Sequence, residues 1–378
     1  MIILGDNMKD ETLKKIGEAV DKIVIGSYSV MFFPSIIAYK MRGGKLKIKS
    51  NEPKEEKVYF ISPSIEIKPP RKYESDKEID YSRIGQSQVR EAVRKFVTTL
   101  FNNFPPDALI TLFKNINDTN ISKDGVVYLI NHIRHGVCES SGEFSPGKNG
   151  EKNTIDLFSM KSIYHELFHA ATYNKVDDDT YIVGFEQYTS EGTKGHYLGA
   201  AINEGYTELM AHRYFPKEVG DYVSYKDQVD LVKKIEQIVG KEKMEILYLT
   251  ADLKGFIEEF SKYTDIVSTR NLLSISDTIL LYDGKKDLSH DEREKYLIKI
   301  NEILVSAFEQ KQRMRMESKE ITESQYRKEV LGFIEQFPKD VTIHGKIYQL
   351  DSDLINGIIG VLNNPLLMTS NKEEGYSK

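Results

Sequence analysis

The stretch HELFH at positions 165–169 constrains this chain more than any other feature, because two histidines four residues apart share a face only if the backbone is helical. The flanking apolar residues recur at the three- and four-residue intervals of an amphipathic helix: Met160, Ile163, Tyr164, Leu167, Phe168 and Ala171. This spacing predicts a helix over residues 156–174. On that helix both histidines lie opposite the apolar stripe and face whatever element covers the other side.

Residues 199–215 form a second segment with helical periodicity, and it carries a pair of acids. Glu204 and Glu208 are again four residues apart and share one face. Gly205 lies in the interior of this predicted helix, where glycine costs about 1 kcal/mol relative to alanine. We therefore expect another element to approach closely at Gly205. The apolar residues occupy the opposite side: Ile202, Tyr206, Leu209 and Met210.

The two predicted helices present complementary faces to one another. Histidines at positions i and i+4 of a helix reach a single metal ion, and carboxylates are common partners in such sites. Two simpler interpretations stand beside this one: a surface helix with two incidental histidines, and a solvated acidic face. The occurrence of both faces in succession favours the metal site.

HELFH followed by Asn203, Glu204 and Glu208 resembles the gluzincin metallopeptidases. This is the thermolysin-like and aminopeptidase-like class, which carries HExxH on one helix and an Asn-Glu segment on the next. The resemblance covers roughly residues 156–215 and implies a Zn2+ cofactor in a zincin-like core. Residues 222–263 also look like a group of uncharacterised bacterial HExxH proteins, a likeness that implies no particular substrate.

Position by position, the resemblance implies a role for five residues. His165 and His169 are the imidazole ligands, and Glu204 is the carboxylate ligand. Glu166 is the general base, and Glu208 orients a ligand histidine. Two histidines and one carboxylate leave a fourth zinc position for water, which is the pattern of a catalytic site. Glu166 would take the proton of that water and pass it to the leaving amine.

A developing oxyanion needs one more hydrogen-bond donor, and the sequence offers several. Tyr197 is our choice, because it lies in the connection directly before the glutamate-bearing helix. The other candidate donors are His196, Tyr206 and His212.

In zincin-like folds the strand before the HExxH helix pairs with extended substrate by β-addition, and the resemblance gives that role to residues 126–133.

The connection between the two predicted helices departs from the family pattern. The gap from His169 to Glu204 is longer than the typical spacing, and a connection of this length is usually functional or unstructured. Some toxin light chains with HExxH also place the third ligand after a long gap. Substrate preference therefore does not transfer from the family.

These observations lead to one expected function and two alternatives. We expect zinc-dependent hydrolysis of a peptide bond, with a peptide or a protein as the substrate. The first alternative is a non-enzymatic regulator or partner-binding module built on a metallopeptidase scaffold. The second is a toxin- or effector-type endopeptidase with a single protein substrate. The sequence leaves the oligomeric state open.

Charge and cysteine content narrow the partners and the compartment. The formal net charge of −6 argues against a general nucleic-acid binder, which needs a basic stripe. Cys138 is the only cysteine of the 378-residue sequence, so an intramolecular disulfide is impossible. The N-terminus lacks a signal-peptide pattern, and the apolar stretch 23–39 is shorter than the roughly 20 residues of a spanning helix. We therefore expect a cytoplasmic protein without a membrane segment.

The predicted elements are mixed first and helical last, which indicates an α+β fold. We expect a zincin-like core with a small mixed sheet and the HExxH helix, followed by a mostly helical C-terminal half. The corresponding division is an N-terminal mixed segment (1–80), a zincin-like catalytic core (81–219) and a helical C-terminal domain (220–378). Early elements are a helix over 86–102, a strand over 125–133 and a loop over 142–150. The later predicted helices cover 226–239, 241–248, 252–262, 268–282, 288–318, 322–337 and 351–363.

Overall fold

The computed structural model describes most of the chain beyond residue 57. The described ranges are 58–72, 78–123, 142–147, 151–157, 159–191, 194–221, 223–282, 288–343 and 345–364. The predicted substrate strand over 126–133, the apolar stretch 23–39 and Cys138 lie outside these ranges.

Short strands form two small mixed sheets and a hairpin. The larger sheet has the order β1-β8-β7-β6-β5, in which β1 runs parallel to β8 and the other neighbours are antiparallel. In the smaller sheet β4 is central, parallel to β2 and antiparallel to β3, and β9 pairs with β10. The strands are β1 (Val58–Ile61), β2 (Thr119–Ser122), β3 (Gly142–Ser145), β4 (Asn153–Leu157), β5 (Tyr173–Lys175), β6 (Thr180–Val183), β7 (Glu186–Glu191), β8 (Lys194–Leu198), β9 (Asp340–Ile343) and β10 (Lys346–Gln349).

Helices make up most of the described chain after residue 199. They are α1 (Ser87–Asn103), α2 (Leu112–Asn117), α3 (Ile163–Thr172), α4 (Ala200–Tyr214), α5 (Pro216–Val219), α6 (Lys226–Val239), α7 (Lys241–Leu249), α8 (Leu253–Phe260), α9 (Ile266–Tyr282), α10 (His290–Glu317), α11 (Glu323–Ile334) and α12 (Asp353–Asn363). The α+β layout with a mostly helical C-terminal half is thus confirmed. Among these helices none combines the length and the apolar character that crossing a bilayer requires.

Helices with clear periodicity lie where the sequence predicts them. Helix α1 buries one stripe of apolar side chains at helical spacing: Val89, Ala92, Val93, Phe96, Val97 and Leu100. Helices α10 and α11 each begin at a capping box, formed by Ser289 with Glu292 and by Thr322 with Gln325. These boxes satisfy amide groups that the first turn of a helix leaves unpaired, so both helices begin within two residues of the predicted positions.

The region around the HELFH motif differs from the prediction in three ways. The helix predicted over 156–174 is shorter, because β4 and a 3-10 turn (Met160–Ser162) precede α3. The long connection between the two motif helices is folded into strands β5 to β8, and the predicted loop over 142–150 contains β3. These strands are only three to six residues long. Strands this short show only a weak alternation of apolar and polar residues. Their conformation is determined by the strands they pair with rather than by the local sequence pattern.

The motif helices lie between the sheets and the helical half. All ten residues of α3 are buried, and α3 packs against α1, α2, β3 and α4. Aromatic rings fill the space behind it: Phe168 meets Phe96 edge-on with centroids 4.9 Å apart, and Tyr164 stacks on Phe215 at 4.0 Å. This packing fixes the direction of α3, and hence of the motif side chains.

A largely buried ionic cluster connects α4 to the helices that follow it. The Arg213 guanidinium donates to both carboxylate oxygens of Glu236 in α6, and to Glu245 in α7, each at 2.8 Å. The Tyr206 and Tyr214 hydroxyls donate to Glu236 at 2.7 Å and to Glu245 at 2.8 Å. The helical half is therefore tied directly to the motif helix α4. The division of the chain at residue 219 stays a prediction.

Candidate metal centre

Helix α3 holds His165 and His169 one turn apart on the same side. Both side chains are nearly covered, and their ring centroids lie 4.7 Å apart with planes inclined by 73°. The opposite side of α3 carries Ile163, Leu167 and Phe168, which are wholly buried. The two histidines thus face away from the apolar stripe, as the helical spacing predicts.

Helix α4 covers the histidine face and brings Glu204 and Glu208 to it. The expected close approach at Gly205 is also present, but its partner is α6 rather than α3. A Cβ atom at Gly205 would lie 2.5 Å from the backbone oxygen of Gln228. Any larger residue would therefore separate α4 from α6, which explains glycine in the interior of a helix.

The side chains of His165, His169 and Glu204 meet at one point. Their ligand atoms all lie within 4.8 Å of one another. Nε2 of His165 is 3.0 Å from Nε2 of His169 and 3.2 Å from Oε2 of Glu204. Nε2 of His169 is 3.4 Å from Oε1 of Glu204. This is the one group of histidine, cysteine and acidic side chains in the described ranges with the spacing of a metal site.

Glu208 controls the orientation of the His165 ring. Nδ1 of His165 donates to Oε2 of Glu208 at 2.9 Å, which directs Nε2 towards the ligand group. The second oxygen of Glu208 accepts from the backbone N–H of Ser224 at 2.9 Å and lies 3.2 Å from Nε2 of His212. A ligand histidine whose other nitrogen binds a carboxylate is the usual arrangement around metals in proteins.

The carboxylates and imidazoles of the centre shift one another's protonation. Burial alone would lower the pKa of His165, but hydrogen bonds to Glu204 and Glu208 outweigh burial and raise that pKa to about 10. Burial would raise the pKa of Glu204, but the charge of His169 and the hydrogen bonds to both imidazoles lower it. Burial would also raise the pKa of Glu208, but the hydrogen bond to His165 and the charge of His165 lower it. The metal-free centre therefore holds protons on imidazole rather than on these carboxylates.

Glu166 lies beside the ligand group and is buried against strand β3. Burial raises the pKa of Glu166, and the nearby His165 and His169 offset part of that rise. The backbone N–H of Phe144 in β3 donates to its carboxylate. A Cβ atom at Gly142 would lie 2.9 Å from Cγ of Glu166, so glycine at this position leaves the space that the side chain occupies. A raised pKa brings a carboxyl closer to the range in which it can exchange protons at neutral pH.

Tyr225 is a residue of the centre that the sequence did not reveal. Its ring stacks on His165 with centroids 5.6 Å apart and planes inclined by 19°. The Glu204 charge, burial and a hydrogen bond to Glu204 raise the pKa of Tyr225, so its hydroxyl stays a donor. Tyr225 precedes α6, which packs against α4. Only the tertiary packing of α6 brings it to the histidines, and no sequence spacing could have identified it.

Tyr197 has a different environment from the one expected. It lies in strand β8 rather than in a loop, and only 7% of its surface is exposed. Burial raises its pKa, and so do the charges of Asp277 and Glu186. Tyr197 therefore lies near Asp277, a buried acid that contacts the first residues of α4.

The other candidate donors have partners of their own. The Tyr206 hydroxyl donates to Glu236, and His212 contacts Glu208. The His196 ring stacks on Phe60 with centroids 5.7 Å apart, and its Nε2 lies 3.6 Å from Glu191. Compared with these candidate donors, Tyr225 is the one whose ring stacks on His165.

Comparison with known proteins adds no relative. No protein-family model matches the chain, and neither the curated proteins nor the solved structures contain a match. The functional interpretation therefore depends on the geometry of the centre itself.

Proposed function

We propose that this chain is a zinc-dependent peptidase in which His165, His169 and Glu204 bind the metal and Glu166 is the general base. One observation carries the proposal: three ligand atoms from two helices converge within 4.8 Å beside a buried glutamate. The substrate is a peptide or a protein.

The donor set fits zinc in chemistry and in size. Two imidazole nitrogens and one carboxylate oxygen are the ligands of many catalytic zinc sites. Zinc bonds of about 2.0–2.1 Å in a tetrahedron separate neighbouring ligand atoms by about 3.4 Å. The three separations here are 3.0, 3.2 and 3.4 Å. Nε2 of His165 faces Oε2 of Glu204 and Nε2 of His169 faces Oε1, so the separations agree in size with those of atoms that bind one zinc ion. Two imidazoles and one carboxylate would leave a coordination position for water or substrate.

Glu166 is placed to move protons in this reaction. Bound zinc supplies Lewis-acid activation of the attacking water and of the scissile carbonyl. Glu166 adjoins His165 in the chain, and burial raises its pKa towards the range in which a carboxyl exchanges protons at neutral pH. It accepts the proton of the attacking water and delivers it to the leaving amine.

Tyr225 is the donor best placed to stabilise the charge that develops on the carbonyl oxygen. Its hydroxyl already points at Glu204, and the surrounding carboxylates keep it protonated. Stacking on His165 fixes the phenol ring, so only the hydroxyl has to turn from Glu204 to the carbonyl oxygen when negative charge appears there. We therefore assign to Tyr225 the role first given to Tyr197.

The test compares wild type with Glu166→Gln and with Glu258→Gln, a matched change at an exposed glutamate of α8. Zinc content and hydrolysis of a peptide library are measured for each protein. We expect zinc in all three, and a loss of hydrolysis of about 10²–10⁴-fold in Glu166→Gln alone. Undiminished hydrolysis in Glu166→Gln would refute the assignment.

One further incubation separates the two alternative functions, the single-substrate endopeptidase and the non-enzymatic module. Wild type that binds zinc and cleaves no peptide of the library is then incubated with a complex mixture of folded proteins. Cleavage of one protein supports an endopeptidase with a single substrate. Cleavage of none supports the non-enzymatic module.

A further inference from the structure

Asp277 is a buried acid far along the chain from the metal ligands. It lies in α9 and none of its surface is exposed. Its two carboxylate oxygens accept from two backbone amides, Gly199 N at 2.8 Å and Ala201 N at 2.8 Å. These amides begin α4, the helix that carries Glu204 and Glu208.

Helix α4 has no cap of its own. Gly199 is its N-cap residue, and it has no side chain to accept from the first amides. The backbone there is left-handed, with φ of 97°, and a Cβ atom would lie 2.0 Å from the backbone oxygen of Phe185. Glycine is therefore required at this turn. The cap that most helices obtain from Ser, Thr, Asp or Asn must come from elsewhere in the fold, and Asp277 supplies it.

The capped turn leads directly to the metal ligand. The backbone N–H of Asn203 donates to the Gly199 oxygen at 2.9 Å, so the turn held by Asp277 ends one residue before Glu204. The Asn203 side chain accepts from Phe185 N at 3.2 Å and lies 3.5 Å from Nδ1 of His169. Fraying of this turn would therefore displace Glu204 and disturb the surroundings of His169 together.

We propose that Asp277 is a positioning residue of the metal centre, which fixes the first turn of α4 so that Glu204 stays in place against His165 and His169. The inference rests on the proposed metal site. Burial raises the pKa of Asp277 to about 7, although the two backbone N–H donors offset part of that rise. In its ionised form the carboxylate also faces the positive end of the α4 dipole, which strengthens the attachment. The residue acts from the helical half of the chain, so that half is a structural part of the centre.

Asp252 provides a matched control for this role. Its carboxylate caps α8 by accepting from Gly255 N at 2.8 Å, and α8 carries no ligand. Changing either aspartate to asparagine removes a capping charge, but only Asp277 holds the helix of Glu204. A purely structural cap would lower stability in both variants without a selective effect on the metal.

The experiment measures zinc dissociation constants of the full chain by chelator competition, for wild type, Asp277→Asn and Asp252→Asn. The visible spectrum of the Co2+-substituted proteins reports the ligand geometry. We expect zinc binding to weaken about tenfold or more in Asp277→Asn, with an altered Co2+ spectrum, and to be unchanged in Asp252→Asn. Equal constants and spectra in all three proteins overturn the inference while leaving the metal site intact. Wild type that binds no zinc overturns both.

A second measurement keeps the test decisive if Asp277→Asn fails to fold. Coupling between two sites is reciprocal, so zinc should stabilise the turn that Asp277 holds. In wild type, zinc should slow hydrogen exchange at the amides of Gly199 and Ala201, and leave Gly255 unaffected. Exchange at Ala201 that zinc does not change would overturn the inference.

Discussion

Glu208 accepts a hydrogen bond from Nδ1 of His165 at 2.9 Å, and this single contact directs the other ring nitrogen to the point where His169 and Glu204 meet. The carboxylate is itself held by the backbone of Ser224. A chain of contacts thus runs from the segment before α6 through Glu208 to His165.

Replacement of Glu208 should weaken the metal site without destroying it. In Glu208→Gln the acceptor charge is lost and the His165 ring is less firmly oriented, so we expect zinc affinity to fall about 10–100-fold. Chelator competition measures the change, with Glu258→Gln as the exposed control. Affinity equal to that of wild type would mean that Glu208 does not orient His165.

Removal of the Tyr225 hydroxyl should affect turnover rather than metal binding. In Tyr225→Phe the ring still stacks on His165, but the donor for the developing charge is gone. We expect kcat to fall about 10²–10³-fold with zinc content unchanged. Tyr214→Phe is the control, because it removes a hydroxyl that donates only to Glu245 among the contacts described. A Tyr225→Phe enzyme with the kcat of wild type would contradict the role of Tyr225 as the donor, and Tyr197 would be the next residue to test.

Zinc binding should release protons and strengthen with pH. The pKa of His165 in the metal-free protein is raised to about 10, so the ring is protonated at neutral pH. A ligand imidazole must be neutral, so zinc has to displace that proton. We expect the apparent dissociation constant to decrease as pH rises from about 6 towards 10. Calorimetry in buffers of different ionisation enthalpy counts the protons. An affinity independent of pH would contradict the proton placement.

The Arg213 cluster should be the strongest ionic contribution to stability outside the metal centre. Arg213→Met removes the guanidinium from the carboxylates of Glu236 and Glu245, whose side chains are only 11% and 7% exposed. Lys241, 3.9 Å from Glu245, is then the one cation left beside the pair among the described contacts. We expect the free energy of unfolding in urea to fall by about 3 kcal/mol. Arg315→Met, which breaks more exposed pairs, should cost about 1 kcal/mol or less. Similar losses in the two variants would contradict this ranking.

Local pattern accounts for the part of the centre that the sequence could predict. His165, His169, Glu204 and Glu208 are identifiable because a helix with 3.6 residues per turn puts residues four apart on one face. The structure brings these four side chains together. The close approach at Gly205 follows from helix propensity, although the identity of α6 as its partner does not.

The residues that the sequence did not identify reach the centre only through tertiary packing. Tyr225 precedes α6 and Asp277 lies in the middle of α9, and neither has a motif neighbour in sequence. Strands β5 to β8 were not predicted for a related reason, because strands of only three to six residues owe their conformation to pairing across the sheet. Tyr197 was favoured because it is close in sequence to Glu204, but in β8 it is buried where the charges of Asp277 and Glu186 act on its hydroxyl.

The most direct test of the central claim is the metal content of purified wild type and of Glu204→Ala, measured side by side after metal-replete purification. We expect stoichiometric zinc in wild type and a strong reduction in the variant, because the variant keeps the two imidazoles and loses the carboxylate that completes the ligand face. Wild type without zinc would contradict the metal centre altogether. Equal zinc in both proteins would contradict Glu204 as the third ligand.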